Sequence, residues 1–209
     1  HRADKLERTV CDYLGAVAYS VPASAVADRI MNVTVKEIPT GIDIGDECLD
    51  TDGTIIYSRL VNFLAGNAAR NQLIADGLAE NAEHYNLVLS DRVEHLKTLR
   101  DMLPADVRPL AAVIDGTMQS KKAKAERGEI IEDMRQGRKR YLFATYKLAK
   151  EGLDIPRLDR LYLTTPQKDY TTIVQSVGRV ARTFADKLPP VCYDYVDDAD
   201  YFRGAFKLR

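Results

Sequence analysis

The sequence has no tryptophan, few cysteines and no long apolar run, and each shortage excludes a class of protein. Cys11, Cys48 and Cys192 are odd in number, lie far apart and form no C-x-x-C pair, so neither a disulfide framework nor a metal site is expected. No apolar run approaches the roughly 18 residues of a membrane helix, and no signal-peptide pattern occurs. We therefore predict a cytoplasmic protein that does not bind a membrane. It has no initiator Met, so we expect a piece of a longer protein.

The overall charge is also close to balanced, with a net charge of −1. A contact with nucleic acid must then come from a local patch or from backbone amides. The one local basic concentration runs from Gln119 to Arg140, where eight Lys/Arg stand against four Asp/Glu. Lys121 and Lys122 are its candidates for phosphate contact, and a solvated helix face is the alternative.

Short apolar runs alternate with helical patterns along most of the chain. Five runs are typical of buried strands, at 85–90, 110–114, 140–145, 159–163 and 191–196. An alternating strand pattern at 33–38 precedes them, followed by two helices between Thr54 and His84 that divide near Gly66-Asn67. This βα alternation predicts an α/β fold with a parallel, doubly wound sheet.

The most informative stretch runs from Arg140 to Arg182. Ligands of open parallel sheets lie beyond the carboxyl ends of the strands, and Thr145 and Thr164-Thr165 occupy two such ends. We predict a helix that opens after Asp169. Arg179 and Arg182 are three apart on it, so they are expected to share one face, and two guanidinium groups together suit a polyphosphate.

This stretch resembles motifs V and VI of superfamily-two helicases, the DExD/H-box (DEAD/DEAH-box) group. The motif VI pattern Q-x-x-G-R-x-x-R is complete from Gln175 to Arg182. Motif V matches as A-T at Ala144-Thr145, followed by E-G-L-D-I-P at 151–156. A lone G-R-x-x-R is a weak signal, but the two motifs together are specific. Their form looks closest to the branch with XPB-like helicases and restriction-enzyme motor subunits.

The resemblance implies a fold and a division of the chain. The fold is the second, C-terminal RecA-like domain: a parallel sheet with helices on both faces, preceded by a helical and extended N-terminal segment. Residues 46–209 are assigned to this domain, and residues 1–45 to a remnant of the first motor domain and the linker. His1-Arg2-Ala3-Asp4 resembles the residues that follow motif III, with an ordinary frayed terminus as the alternative.

The chain lacks the motifs that hold nucleotide in the first motor domain of such helicases. No G-x-x-x-x-G-K-[ST] loop occurs, and Asp-Glu occurs only as Asp46-Glu47 in an acidic loop. The resemblance therefore implies that ATP and Mg²⁺ are held mainly by the first RecA-like domain of the same protein. This chain would supply half of an ATPase site, hold no metal of its own, and be inactive alone.

The resemblance assigns its half of the site residue by residue. The catalytic residues are Gln175, Arg179 and Arg182, and the nucleotide-binding residues are Gly152, Asp154 and Gly178. Arg182 is the expected arginine finger, which neutralises charge on the transferring γ-phosphoryl group. The alternative for both arginines is a surface helix with exposed salt bridges.

Residues at the strand ends are assigned to a nucleic-acid track, with DNA as the expected polymer and RNA possible. They are Ser90, Asp91, Arg92, Gly116, Thr117, Lys121, Thr145 and Thr165. The 90–92 segment resembles motif IV, and an ordinary helix cap by Ser90 or Asp91 is the alternative. Contacts to the backbone of the polymer carry no sequence information, so binding is expected to be sequence-tolerant and sensitive to salt.

The resulting hypothesis is the C-terminal motor domain of an ATP-dependent DNA helicase or translocase. A non-catalytic RecA-like module that binds nucleic acid or a protein partner is the alternative from another class. A double-strand translocase subunit of a restriction or remodelling machine is the second alternative.

Overall fold

The computed structural model describes residues 12, 30–116, 120–150 and 153–197, and it divides into two units, His1–Ile30 and Met31–Arg209. All that follows concerns the second unit. The predicted helices at 1–20 and 197–209, apart from residues 12 and 197, lie outside the described residues, as do Thr117 and Gly152.

The second unit is built on a six-stranded sheet. Its strands are β1 Thr34–Pro39, β2 Asn86–Ser90, β3 Ala111–Ile114, β4 Tyr141–Thr145, β5 Arg160–Leu163 and β6 Val191–Val196. All neighbours pair in parallel in the order β1-β6-β5-β2-β4-β3. The prediction of a parallel α/β sheet is confirmed.

Six α-helices connect the strands within the described residues. They are α1 Tyr57–Gly66, α2 Ala68–Glu80, α3 Val93–Met102, α4 Lys121–Arg135, α5 Tyr146–Lys150 and α6 Tyr170–Val180. Side-chain caps explain three starts: Asn67, Ser120 and Asp169 each accept a hydrogen bond from a backbone N–H two or three residues later. The helix predicted to open after Asp169 is confirmed.

The central strands bury both faces, because alternate side chains enter two separate apolar clusters. Leu87, Leu89 and Leu142 pack on one side, whereas Val88 and Phe143 pack on the other. A strand with both faces covered is expected to be a continuous apolar run, as these are. The two clusters place helices on both faces of the sheet.

Strand β1 is the edge strand of this sheet and pairs with β6 from Thr34 opposite Val191 to Pro39 opposite Val196. It lies within residues 1–45, which we assigned to the remnant and linker, but its pairing makes it part of the main sheet. Most of its side chains are exposed, so its sequence lacks the buried pattern of the other strands. The position of the boundary between the two motor domains stays a prediction.

A fully buried arginine on α2 ties three strand ends together. Arg70 donates from Nε and Nη2 to the carboxylate of Asp197, at 2.7 and 3.1 Å, and from Nη1 to the carbonyl oxygen of Thr164 at 2.6 Å. The hydroxyl of Thr40 also donates to Asp197, at 2.6 Å. These partners directly follow β6, β5 and β1, so this cluster fixes the edge of the sheet where ligands of parallel sheets bind.

Candidate functional site

The two motif VI arginines reach the segment that leads from α5 to Asp154. The Nη1 atom of Arg182 contacts Oδ1 of Asp154, and both side chains are partly exposed. Arg135 holds the same aspartate from the other side, with 2.7 Å from its Nε to the Asp154 carbonyl oxygen and 3.3 Å from its Nη2 to Oδ2. Asp154 therefore lies between two guanidinium groups, and one of them comes from α4, which the sequence did not indicate.

Arg179 binds main-chain carbonyl oxygens, whereas Arg182 contacts a carboxylate. Its Nε donates to the carbonyl oxygen of Ala149 and its Nη2 to that of Lys150, each at 3.0 Å. These are the last carbonyls of α5, which lack donors within the helix. Burial, with a smaller contribution from the Arg182 cation, lowers the pKa of Arg179. Arg179 thus clamps α5 to α6 and stands beside Arg182.

The expectation that both arginines share a helical face is wrong. α6 ends at Val180, with Ala181 as its C-cap, so Arg182 lies beyond the helix. The sequence spacing could not show this, because Ala181 keeps near-helical backbone angles and nothing local marks the end of the helix. Arg179 bonds the end of α5 and Arg182 bonds Asp154, so separate partners, rather than helical periodicity, hold the two side chains.

Gln175 and Gly178 lie on the exposed side of α6. A Cβ atom added at Gly178 meets nothing within 4 Å in this unit, so no packing in this unit requires glycine there. Glycine within a helix is destabilising by roughly 0.5–1 kcal/mol relative to alanine. Our assignment of Gly178 expects a nucleotide or the other motor domain to approach the helix closely at this position, and a glycine would leave room for it.

We therefore predict opposite effects of Gly178→Ala on stability and on activity. The variant gains about 0.5–1 kcal/mol of unfolding free energy in denaturant titrations, because the helix loses a flexible residue. It also lowers the ATP turnover of the full-length protein, because the methyl group occupies the approach. Gly128→Ala is the matched control: Gly128 is mid-helix in α4 and equally open, so it should gain stability without losing turnover. Normal turnover of Gly178→Ala would remove Gly178 from the site.

The polar residues predicted at strand ends do meet at one edge of the sheet. Ser90 and Thr145 are opposite each other at the ends of β2 and β4, and Thr164-Thr165 follow β5. β5, β2 and β4 are consecutive neighbours, so their carboxyl ends form one row. Thr145 and Arg92 are half-buried, whereas Gly116, two residues after β3, and Lys121, the first residue of α4, are exposed.

Two of these hydroxyls do not reach the surface. Ser90 is fully buried; its Oγ lies 3.0 Å from Nδ1 of His95 and accepts from the backbone N–H of Arg92 at 3.1 Å. Thr165 is 2% exposed, and its Oγ1 accepts from the N–H of Asp91 at 3.0 Å. Both hydroxyls shape the loop after β2 instead of presenting a donor to a ligand. The helix-cap alternative is also wrong, because the N-cap of α3 is Arg92.

His95 and Asn71 continue this buried network. The Nε2 atom of His95 lies 2.9 Å from Oδ1 of Asn71 on α2. Burial, helped by the Arg70 cation, lowers the pKa of His95 to about 3, so its ring is neutral at physiological pH. The network joins α2, β2 and α3 beneath the 90–92 loop, and no local sequence motif predicts it.

The same edge carries a cavity of about 280 Å³. It is lined by Asp91, Tyr146, Lys147, Lys150, Gln167, Asp169 and Thr172. Lys150 pairs with Asp169 at 2.6 Å, and this bond, followed by that of Thr172, lowers the pKa of Asp169 to about 2. Burial raises the pKa of Asp91, which also accepts from the hydroxyl of Tyr57 at 2.9 Å. The lysines of α5 were not among the predicted site residues.

Neither a membrane-spanning helix nor a cluster of metal ligands occurs in the part of the chain that the structure describes. No helix there has the length and apolar character of a membrane span. Within residues 30–116, 120–150 and 153–197, His, Cys, Asp and Glu side chains form no group of three or more that could hold a metal ion.

The six-stranded parallel sheet, its polar carboxyl edge and its arginine pair define a RecA-like α/β domain. The chain belongs to the family described as "Helicase conserved C-terminal domain", whose model matches residues 69–184. It is thus a helicase C-terminal domain. A variant of Saccharomyces cerevisiae Dbp5 bound to RNA and ADP BeF3 has a similar fold, with a TM-score of 0.64, 18% identity and coverage of 99% of this chain and 46% of that chain.

Two curated viral proteins are related in sequence. Putative helicase 22 of Sulfolobus islandicus filamentous virus is 24% identical over 96% of this chain. The putative ATP-dependent RNA helicase L396 of Acanthamoeba polyphaga mimivirus is 33% identical over 59% of this chain. This chain spans 37% of the length of the first and 22% of the second.

Proposed function

We propose that this chain is the second motor domain of an ATP-dependent helicase or translocase that moves along nucleic acid. In this proposal Arg182 is the arginine finger, Arg179 and Gln175 lie beside it, and the first motor domain binds ATP and Mg²⁺. The sequence motifs support an XPB-like branch. The single observation that carries the proposal is the contact of a partly exposed Arg182 guanidinium with Asp154 beside Arg179.

The residues of this site fit a nucleotide. Arg182 and Arg179 offer guanidinium donors that suit phosphate oxygens, while the exposed carboxylate of Asp154 accepts hydrogen bonds as a ribose hydroxyl requires. Gly178, and Gly152 by assignment, leave room for close approach. When bound, ATP with Mg²⁺ supplies the phosphoryl group and the metal charge of the reaction.

This chain's residues would position one cation for that reaction. Asp154 holds the Arg182 guanidinium while Arg135 holds the backbone of Asp154, so the cation is oriented in advance. An oriented charge reorganises little when negative charge develops nearby, which is the basis of electrostatic catalysis. Arg179, bound to two carbonyls of α5, would link movement of α6 to α5, which directly follows Thr145 at the end of β4.

The nucleic-acid track would be the row of loops at the carboxyl ends of β5, β2, β4 and β3. Asp91, Arg92, Gly116, Lys121 and Thr145 are its accessible members in our assignment, with Thr117 among the residues outside the description. Ser90 and Thr165 would act by shaping the loops, because both are buried. We propose DNA as the polymer from the form of the motifs. RNA is the second candidate, favoured by the name of the mimivirus relative.

Nucleic-acid-stimulated ATP hydrolysis by the full-length protein tests this function. Single-stranded DNA, duplex DNA and RNA of one sequence are compared at two salt concentrations. We expect stimulation by DNA that weakens as salt rises, because the contacts are to phosphates. Stimulation by RNA alone would favour the second candidate. If the folded protein hydrolyses no ATP in the presence of any of the three polymers, a non-catalytic binding module is favoured.

A further inference from the structure

Lys187 lies in the loop between α6 and β6, and its ammonium group is fully used by main-chain carbonyls. The Nζ atom donates to Pro156 at 3.0 Å, to Val180 at 2.7 Å and to Arg182 at 2.7 Å. An ammonium group has three hydrogens, so every donor has an acceptor. The side chain is half-buried beneath the loop that it stabilises.

The three carbonyls belong to two segments that meet at the arginine site. Val180 ends α6, and the Arg182 carbonyl belongs to the arginine itself. Pro156 is two residues beyond Asp154, the carboxylate that the Arg182 side chain contacts. Lys187 therefore joins the backbone that carries Arg182 to the backbone that carries its partner.

We propose that Lys187 is a positioning residue for Arg182, whose backbone it holds at a fixed distance from the Asp154 segment. This inference rests on the proposed role of Arg182 as the arginine finger. Lys187 itself would touch neither nucleotide nor nucleic acid and would act through the direction of the Arg182 side chain.

A helix cap alone does not account for this arrangement. A lysine near the end of a helix commonly bonds the last carbonyls, which lack donors. Here one of the three bonds goes to Pro156, which is outside α6 and on the other side of the site. The Arg182 cation is also close enough to lower the pKa of Lys187, so the ammonium is a neighbour of the arginine that it is proposed to position.

The protonation state of Lys187 provides a second way to test the proposal. Burial is the main cause that lowers the pKa of Lys187 to about 8; Arg182 lowers it further, and Asp159 opposes both. Lys187 also lines a cavity of about 360 Å³, whose further charged or titratable side chains are those of Glu83, His84, Tyr85, Arg157 and Asp186. A neutral amine has two hydrogens and must leave one carbonyl without a donor. The positioning should therefore hold below about pH 8 and weaken above it.

The test is a double-mutant cycle in the full-length protein, measured as nucleic-acid-stimulated ATP turnover. Lys187→Met should lower kcat by roughly 10- to 100-fold with KM for ATP little changed, because a misplaced finger acts on the transition state. In an Arg182→Ala background the same change should add no further loss, because there is no finger to position. Lys139→Met is the matched control, since Lys139 donates to the single carbonyl of Pro109 at 3.0 Å and precedes β4 at the opposite sheet edge.

The pH dependence of turnover is a second test, and it does not depend on whether a Lys187 variant folds. The ratio of wild-type to Arg182→Ala turnover should shrink as pH rises through about 8, since titrations in the rest of the protein cancel in the ratio. A constant ratio between pH 7 and 9 would overturn the inference. So would equal effects of Lys187→Met in both backgrounds. If Arg182→Ala hydrolyses ATP normally, the proposed function itself fails, and this inference fails with it.

Discussion

Arg182→Ala lowers the nucleic-acid-stimulated ATP turnover of the full-length protein by roughly 10³-fold or more, the expected loss when an arginine finger is removed. The physical reason is the loss of the cation that Asp154 orients and that, in our proposal, neutralises charge on the transferring γ-phosphoryl group. Nucleotide binding should largely survive, because the first motor domain holds most of the nucleotide in this account. Turnover and equilibrium nucleotide binding, measured on the same preparation, separate the two effects.

A surface arginine provides the control for that result. Arg138 pairs with Asp133 at 2.6 Å while its side chain stays 55% exposed, and exposed pairs contribute about 0–1 kcal/mol. Arg138→Ala should therefore hydrolyse ATP like the wild type. If Arg182→Ala behaves as Arg138→Ala does, Arg182 is only a surface arginine and a non-catalytic module becomes the better reading.

Arg70→Met destabilises the folded domain by about 3–5 kcal/mol, the range for removing one partner of a buried ion pair. Among the described residues, the variant leaves the buried carboxylate of Asp197 with the Thr40 hydroxyl as its remaining side-chain partner, and it removes the donor to the carbonyl oxygen of Thr164. Unfolding in urea, followed by circular dichroism, measures the loss. The midpoint should fall without a change in slope.

Two variants show whether the loss comes from the uncompensated charge. Arg100→Met removes an arginine whose ion pair with Asp101 is partly exposed, so it should change stability by less than about 1 kcal/mol. The double variant Arg70→Met/Asp197→Leu replaces the buried pair by apolar side chains and should recover much of the loss. A single variant as stable as the wild type would show that this cluster does not hold the strand ends.

Local patterns in the sequence predicted the sheet well, and the reasons are physical. β2, β4 and β5 are covered on both faces, so burial requires the apolar runs from which they were predicted. The ends of β2 and β4 followed from the polar residues after those runs. Strand β1 was predicted as a strand, but its exposed side chains gave no sign that it pairs with β6.

The site was predictable only where its residues lie within one motif. Gln175, Gly178, Arg179 and Arg182 form such a motif, and Asp154 belongs to the preceding one. The supporting contacts join residues far apart in sequence: Arg70 is 127 positions from Asp197, and Arg135 is 19 positions from Asp154. No local spacing encodes such pairs. For the same reason the burial of the Ser90 hydroxyl against His95 could not be predicted from the strand that carries it.

The measurement that tests the central claim most directly compares ATP hydrolysis by the isolated chain and by the full-length protein, each with and without DNA. Our account assigns half of an ATPase site to this chain, so the isolated chain should hydrolyse no ATP under any condition. The full-length protein should hydrolyse ATP, and faster with DNA. Turnover by the isolated chain that Arg182→Ala abolishes would contradict the account, because it would mean that the complete site lies within these residues.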